Sequence, residues 1–251
     1  MFTVPADAYD RFMGRYSAQL ASGLADLAGV EPGQRVLDVG CGPGSLTAEL
    51  VRRLGPEAVA AVDPSEPFVA AARARYPGVD VRVSPAESLP YEAETFDAAI
   101  AQLVVNFMSD PVAGLAEMRR VAKAGGAVAA CVWDLAGGRA PISLFWQAAR
   151  DVDAGAHDES DLPGARAGDL AELFDRAGLR AVEDAVLEAS LEYSSFDEWW
   201  QPFTFGVGPA GAYAQSLDEQ RLAALRERCR DLLPEPPFTI TASAWAARGV
   251  V

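Results

Sequence analysis

Val36-Leu-Asp-Val-Gly-Cys-Gly-Pro-Gly-Ser45 decides the fold. A short apolar run of strand length meets a glycine turn, and Ser45 to Leu54 beyond it reads as a helix. Gly40 and Gly42 let the backbone approach a ligand that a Cβ would push away. The helix start that follows presents free N–H groups to an anionic moiety. A dinucleotide-binding turn needs a third small residue in G-x-G-x-x-G or A. Counting from Gly40 that position is Ser45, and counting from Gly42 it is Thr47. Neither register fits, which disfavours an NAD(P)-dependent oxidoreductase.

Outward from this turn, strands and helices alternate. Ala58 to Asp63 reads as a second strand, Glu66 to Tyr76 as a helix, Val79 to Val83 and Phe96 to Gln102 as strands. Pro111 to Lys123 reads as a helix capped by Asp110 and closed at Gly125-Gly126, followed by a strand from Ala127 to Trp133. This order implies a mostly parallel sheet with helices on both faces and ligands at the carboxyl ends of its strands. Tyr9 to Leu27 precedes it as an amphipathic helix. After Trp133 the alternation breaks into an aromatic-rich helix from Pro141 to about Val152 and an acidic loop through Gly164. A helix from Gly168 to Ala177, a strand from Arg180 to Tyr193, helical segments from Phe196 to Leu233 and a final strand from Phe238 to Ala247 complete the chain. Ser216-Leu-Asp-Glu219 reads as a capping box for the last helix.

Composition bounds the function. The 251 residues suffice for one α/β domain around a single core. The formal charge of −15 opposes binding to nucleic acid and to anionic membrane surfaces. Residues 151–201 hold 14 Asp and Glu against 3 Arg, a net of −11, which reads as a solvated surface. No apolar run reaches the ~20 residues that span a bilayer, and a cytoplasmic location is expected. The three cysteines, at unrelated spacings, read as reduced buried thiols and not as a metal site. Asp63, closing the second strand, places a carboxylate where it can accept hydrogen bonds from both hydroxyls of a ribose, although Asp63-Pro64-Ser65 alone also makes a turn that caps the next helix.

Four ordered segments resemble the class I S-adenosylmethionine-dependent methyltransferases, especially the bacterial small-molecule group that includes the ubiquinone and menaquinone C-methyltransferases. They are VLDVGCGPGSLT at 36–47, AVDPSEPFVAAAR at 61–73, SPAESLPYEAETFDAAI at 84–100 and RRVAKAGGAV at 119–128. The resemblance implies a Rossmann-like, doubly wound sheet of seven strands, mostly parallel with the last antiparallel. It also implies S-adenosylmethionine as cofactor. Asp38 and the backbone of Gly40, Cys41 and Gly42 would hold the methionine end, Asp63 the ribose, and Pro64, Ala86 and Glu87 the adenine. Gln102 and Val104 would border the sulfonium. Such proteins usually carry an Asp at the position of Pro85, so adenine would rely on the Ala86 N–H, with Glu87 beside it.

Within a single domain spanning 1–251, residues 31–138 are then the cofactor-binding half. Residues 1–30 form a helical cover, 139–164 and 195–235 substrate-cover insertions, and 236–251 the final strand. Substrate choice belongs to the parts outside the shared core. The expected pocket residues are Tyr16, Asn106, Trp133, Trp146, Trp199, Trp200 and Phe203, with one of Trp199 and Trp200 facing inward. Aromatic residues at helical spacing are also ordinary core. His157, the one histidine, lies in the acidic loop and reads as surface, so no general base is assigned. The leading expectation is methyl transfer to an O, N or C nucleophile of a small molecule by a monomer or homodimer that needs no metal. A cofactor-binding protein without catalysis is the reading from a different class.

Overall fold

The computed structural model describes residues 6–251. In chain order the elements are α1 (Ala6–Tyr9), a π-helical turn (Asp10–Gly14), α2 (Arg15–Leu27), β1 (Val36–Val39), α3 (Ser45–Leu54), β2 (Val59–Asp63), α4 (Glu66–Arg75), β3 (Asp80–Val83) and β4 (Phe96–Gln102). They continue with α5 (Pro111–Val121), β5 (Ala122–Trp133), α6 (Ser143–Val152), α7 (Asp169–Arg176), β6 (Arg180–Tyr193), α8 (Phe196–Trp200), α9 (Gly208–Ser216), α10 (Glu219–Leu232) and β7 (Phe238–Val250).

The seven strands form one sheet in the order β3-β2-β1-β4-β5-β7-β6. β1 to β5 run parallel, while β7 pairs antiparallel with both β5 and β6. This is the expected Rossmann-like architecture with its antiparallel last strand. β1 is wholly buried, and its alternation divides the core: Val36 joins the cluster of α2 and α3, Leu37 and Val39 the cluster of α5 and α7 on the opposite face. β1 lies between β2 and β4, so the winding direction reverses at the β1–β4 junction and a crevice opens beyond the strand ends there.

α2 buries Tyr16, Leu20 and Leu24, the apolar stripe read from the sequence. Gln19 fastens it to β6 by donating to the Ser190 carbonyl and accepting from the Ser190 N–H.

Two local expectations are corrected. Gly125-Gly126 does not close α5: that helix ends at Val121, and Ala122 already pairs with Phe96. The glycines instead serve a shift of strand register. Gly125 has φ +77°, and a Cβ on Gly126 would come within 2.7 Å of the Asp97 carbonyl. The cap of α10 is Asp218, whose Oδ1 accepts from the Arg221 N–H. Ser216 ends α9 and donates to the Tyr213 carbonyl, because the turn between the two helices places Asp218 at the boundary.

Candidate functional site

At the crevice, a cavity of about 670 Å³ draws its wall from the ends of β1, β2, β4 and β5, from the π-helical turn and from the start of α9. The chain leaves β1 through Gly40, whose N–H, like that of Cys41, donates to the Val62 carbonyl on β2. Gly40 has φ +72°, and a Cβ there would lie 2.4 Å from Val104 Cγ2, so only glycine allows the turn after β1 to touch the turn after β4. Gly42, also left-handed, has no atom within 4 Å of where its Cβ would stand, and it faces the cavity.

Asp63 is 7 % exposed and lies at the cavity wall. Its Oδ2 accepts the Gly42 N–H at 2.9 Å and its Oδ1 the Ser65 N–H at 2.8 Å. Burial pushes its pKa up, against the pull of these two amides. The turn and the carboxylate at the cavity wall therefore coexist in one residue.

Eight of the ten residues expected around the cofactor line the cavity: Gly40, Gly42, Asp63, Pro64, Ala86, Glu87, Gln102 and Val104. Asp38 and Cys41 do not. Asp38 lies beneath the turn, where Oδ2 accepts the Thr47 hydroxyl at 2.6 Å and Oδ1 has no partner among the described residues. Burial pushes the Asp38 carboxyl up to about 7. Cys41 is buried, and its thiol is raised well above the usual range by the same cause. Glu87 spends Oε1 on the N–H groups of Ser109 and Asp110, which fastens its loop to the start of α5.

Leu103, which the sequence reading passed over, follows β4 with φ +61°, a conformation that side-chain-bearing residues rarely adopt. Its N–H donates to the Cys131 carbonyl at 2.8 Å. This bend turns Gln102, Leu103, Val104 and Asn106 all toward the cavity. Gln102 donates Nε2 to the Ser17 carbonyl, while its Oε1 and the Asn106 Oδ1 are buried without a partner among the described residues.

Of the seven expected pocket residues, Asn106 and Trp133 line the cavity and five do not. Tyr16 is buried, with its hydroxyl on that of Tyr193 at 3.0 Å. Trp199, Trp200 and Phe203 join Phe145 and Phe196 in an aromatic cluster, with Phe145 and Phe203 stacked at 4.5 Å between centroids. Neither tryptophan faces inward, since both are satisfied by ring packing. Trp146 sits behind the wall and donates its indole N–H to Glu159 Oε2 at 3.0 Å, and Glu159 itself lines the cavity. The cover facing the cavity is Tyr9, Phe12 and Met13 of the N-terminal segment, with Ile142 and residues 206–210. Phe12 rests edge-on against Phe203 at 4.9 Å, so the aromatic cluster backs the cover. His157 is exposed, as expected.

Residues 37–130, the span holding the turn, Asp63 and the β4 bend, match the family described as a methyltransferase domain. That stretch, 94 of the 251 residues, is what the chain shares with the family. The chain is 39 % identical over 129 residues to malonyl-[acyl-carrier protein] O-methyltransferase of Salmonella typhimurium, covering 51 % of this chain and 49 % of that protein. It is 36 % identical over 101 residues to a ubiquinone/menaquinone biosynthesis C-methyltransferase of Geobacter sulfurreducens, covering 38 % of this chain and 40 % of the relative. The matches thus span about half or less of these relatives' lengths. The YcgJ protein of Bacillus subtilis shares the fold, with a TM-score of 0.60 at 19 % identity over 92 % of this chain and 97 % of that one. Among the described residues, no helix is long and apolar enough to cross a membrane.

Proposed function

We propose that the protein transfers a methyl group from S-adenosylmethionine to a small molecule bound in the same cavity. One observation carries this reading: the Gly40–Gly42 turn, Asp63 and the Gln102–Val104 bend, distant in sequence, all face one cavity in a chain with a methyltransferase domain. The residues fit the cofactor. The backbone at Gly42 is open to a ligand, and Asp63 keeps further lone pairs on the carboxylate for ribose hydroxyls. Pro64, Pro85 and Ala86 supply an apolar slot for adenine. Glu87 spends Oε1 on the start of α5, which leaves Oε2 as the acceptor that would stand for the missing Asp.

When bound, the cofactor supplies a methyl group already activated by a sulfonium. The chain's own contribution is then to orient the acceptor and exclude water, and orientation alone lowers such barriers by roughly 7–11 kcal/mol in well-aligned cases. Tyr9, Phe12, Met13 and the 206–210 segment form the apolar cover that does this. Residues 31–138 act as the cofactor-binding half, with 1–30, 139–164 and 195–235 as covers of a single domain. The net charge of −15 favours a small-molecule acceptor over nucleic acid.

Calorimetry with S-adenosylhomocysteine, NAD and NADP tests the cofactor, and transfer of labelled methyl to a panel of small molecules tests the reaction. Micromolar-range binding of S-adenosylhomocysteine without dinucleotide binding is expected. Tighter binding of a dinucleotide overturns the proposal, and cofactor binding without transfer to any acceptor reduces the protein to a binder.

A further inference from the structure

The acidic stretch 151–201 reads in the sequence as solvated surface, yet Glu159 within it is turned inward and only 6 % exposed. It lines the cavity along with Trp133, Leu135 and Ile142, residues at or after the end of β5 and outside the segments that resemble cofactor motifs. Its position is built. Trp146 on α6 donates the indole N–H to Oε2 at 3.0 Å, while Oε1 makes no hydrogen bond among the described residues. The adjoining Asp158 is paired with Arg150, and among the described residues no cation pairs with Glu159. A carboxyl in this setting is held back from ionising by burial, and its pKa is pushed up to about 7.

The rest of the wall has the same sign. Among the described residues, the charged side chains lining the cavity are Asp63, Glu87 and Glu159, with no Lys, Arg or His. Gln102 adds an acceptor. Its amide orientation follows from the Ser17 carbonyl, which demands a donor from Nε2, so the oxygen is the end left buried without a partner among the described residues. Burying an acceptor without a donor is costly. A cavity with apolar walls, a buried carboxyl and an unpaired amide oxygen favours a ligand that brings N–H donors and positive charge, and it disfavours a carboxylate or phosphate.

We infer that the methyl acceptor is an apolar amine, held by the Glu159 carboxylate, and that Glu159 is the residue that selects amines over anionic compounds in this cavity. This rests on the methyltransferase reading above, because another part of the same cavity wall is assigned to the cofactor. It concerns recognition of the acceptor and is independent of which of its atoms is methylated.

The test is binding to the full chain saturated with S-adenosylhomocysteine, using phenethylamine, 2-phenylethanol and phenylacetate as probes that share a benzyl frame. Calorimetry is expected to show phenethylamine binding at least tenfold more tightly than phenylacetate, with the alcohol between them. In Glu159→Gln, which keeps an acceptor for the Trp146 N–H, the preference should fall to threefold or less while S-adenosylhomocysteine affinity stays unchanged. Trp146→Phe keeps the carboxylate and should keep a preference of tenfold or more. Phenylacetate binding as tightly as the amine overturns the inference, as does no amine binding at millimolar concentration, a preference that survives Glu159→Gln, or one lost in Trp146→Phe. Failure of S-adenosylhomocysteine to bind the wild type is a separate result, which strikes the methyltransferase reading.

Discussion

Asp63 Oδ2 accepts the Gly42 N–H at 2.9 Å, so the carboxylate that closes β2 is tied to the turn that follows β1. The second oxygen holds the Ser65 N–H at the start of α4. Asp63→Ala therefore removes two charge-assisted bonds inside the protein as well as the proposed ribose acceptor. Loss of about 1–3 kcal/mol of stability without ligand is expected in urea unfolding, and S-adenosylhomocysteine binding should weaken by roughly 2–4 kcal/mol. Stability loss with unchanged affinity in the folded fraction would make Asp63 a turn residue alone.

Gly40 and Gly42 should fail differently when given a side chain. At Gly40 the new Cβ would meet Val104 at 2.4 Å in a left-handed conformation, so Gly40→Ala should unfold more easily and lose cofactor affinity together. Shortening the neighbour in Gly40→Ala/Val104→Ala should return part of the stability. At Gly42 the Cβ meets nothing in the protein, so only the backbone strain of φ +53° acts on stability, about 1 kcal/mol, while the methyl group intrudes into the cavity. S-adenosylhomocysteine affinity should fall at least tenfold in Gly42→Ala. Unchanged affinity there would show that the cofactor does not approach this turn.

Much of the parallel sheet was legible because three of its strands end at a separate local signal: glycines after Val39, a proline after Asp63, a turn after Val83. The expected cofactor residues came from the resemblance of these segments to the methyltransferases, and eight of the ten line the cavity. Of the expected pocket residues only Asn106 and Trp133 do, because the others have no local marker. Leu103 takes a left-handed conformation that nothing in its side chain announces, and Glu159 is one acid among several whose inward turn depends on Trp146, thirteen positions away. The aromatic residues near the C-terminus misled for a related reason. Helical spacing shows which residues share a face, but not whether that face meets a cavity or another ring.

Trp199 and Phe203 distinguish core from pocket in solution. Trp199 is 2 % exposed and Phe203 1 %, 4.9 Å apart between centroids, and neither lines the cavity. Each →Ala variant should lose about 3–5 kcal/mol in urea unfolding, as buried aromatic truncations do. Phe203→Ala should also weaken acceptor binding modestly through Phe12, which it supports from behind. Trp199→Ala with wild-type stability and abolished acceptor binding would return that ring to the pocket.

Two buried carboxyls, Asp38 and Glu159, are both raised to about 7, from ordinary values of 3.8 and 4.5. Each holds its proton more tightly in the folded chain than in the unfolded one. Between about 4.5 and 7 the folded state therefore binds more protons, and stability falls as pH rises through this window. Glu49, lowered to about 2 by Arg52 and Arg53, works in the opposite direction, but its contribution is lost only below its ordinary value of 4.5 and outside the window. A shift of the size seen for Glu159 corresponds to roughly 3 kcal/mol as an upper limit. Urea unfolding of the ligand-free chain should accordingly show lower stability at pH 8 than at pH 5. In Glu159→Gln the decline should shrink by up to that amount, leaving the shares from Asp38 and Asp63, and Asp38→Asn should reduce it further. If wild type and Glu159→Gln decline equally over this range, Glu159 is ionised in the folded protein already at pH 5, and a cavity that keeps it so must be wetter than its 6 % exposure implies.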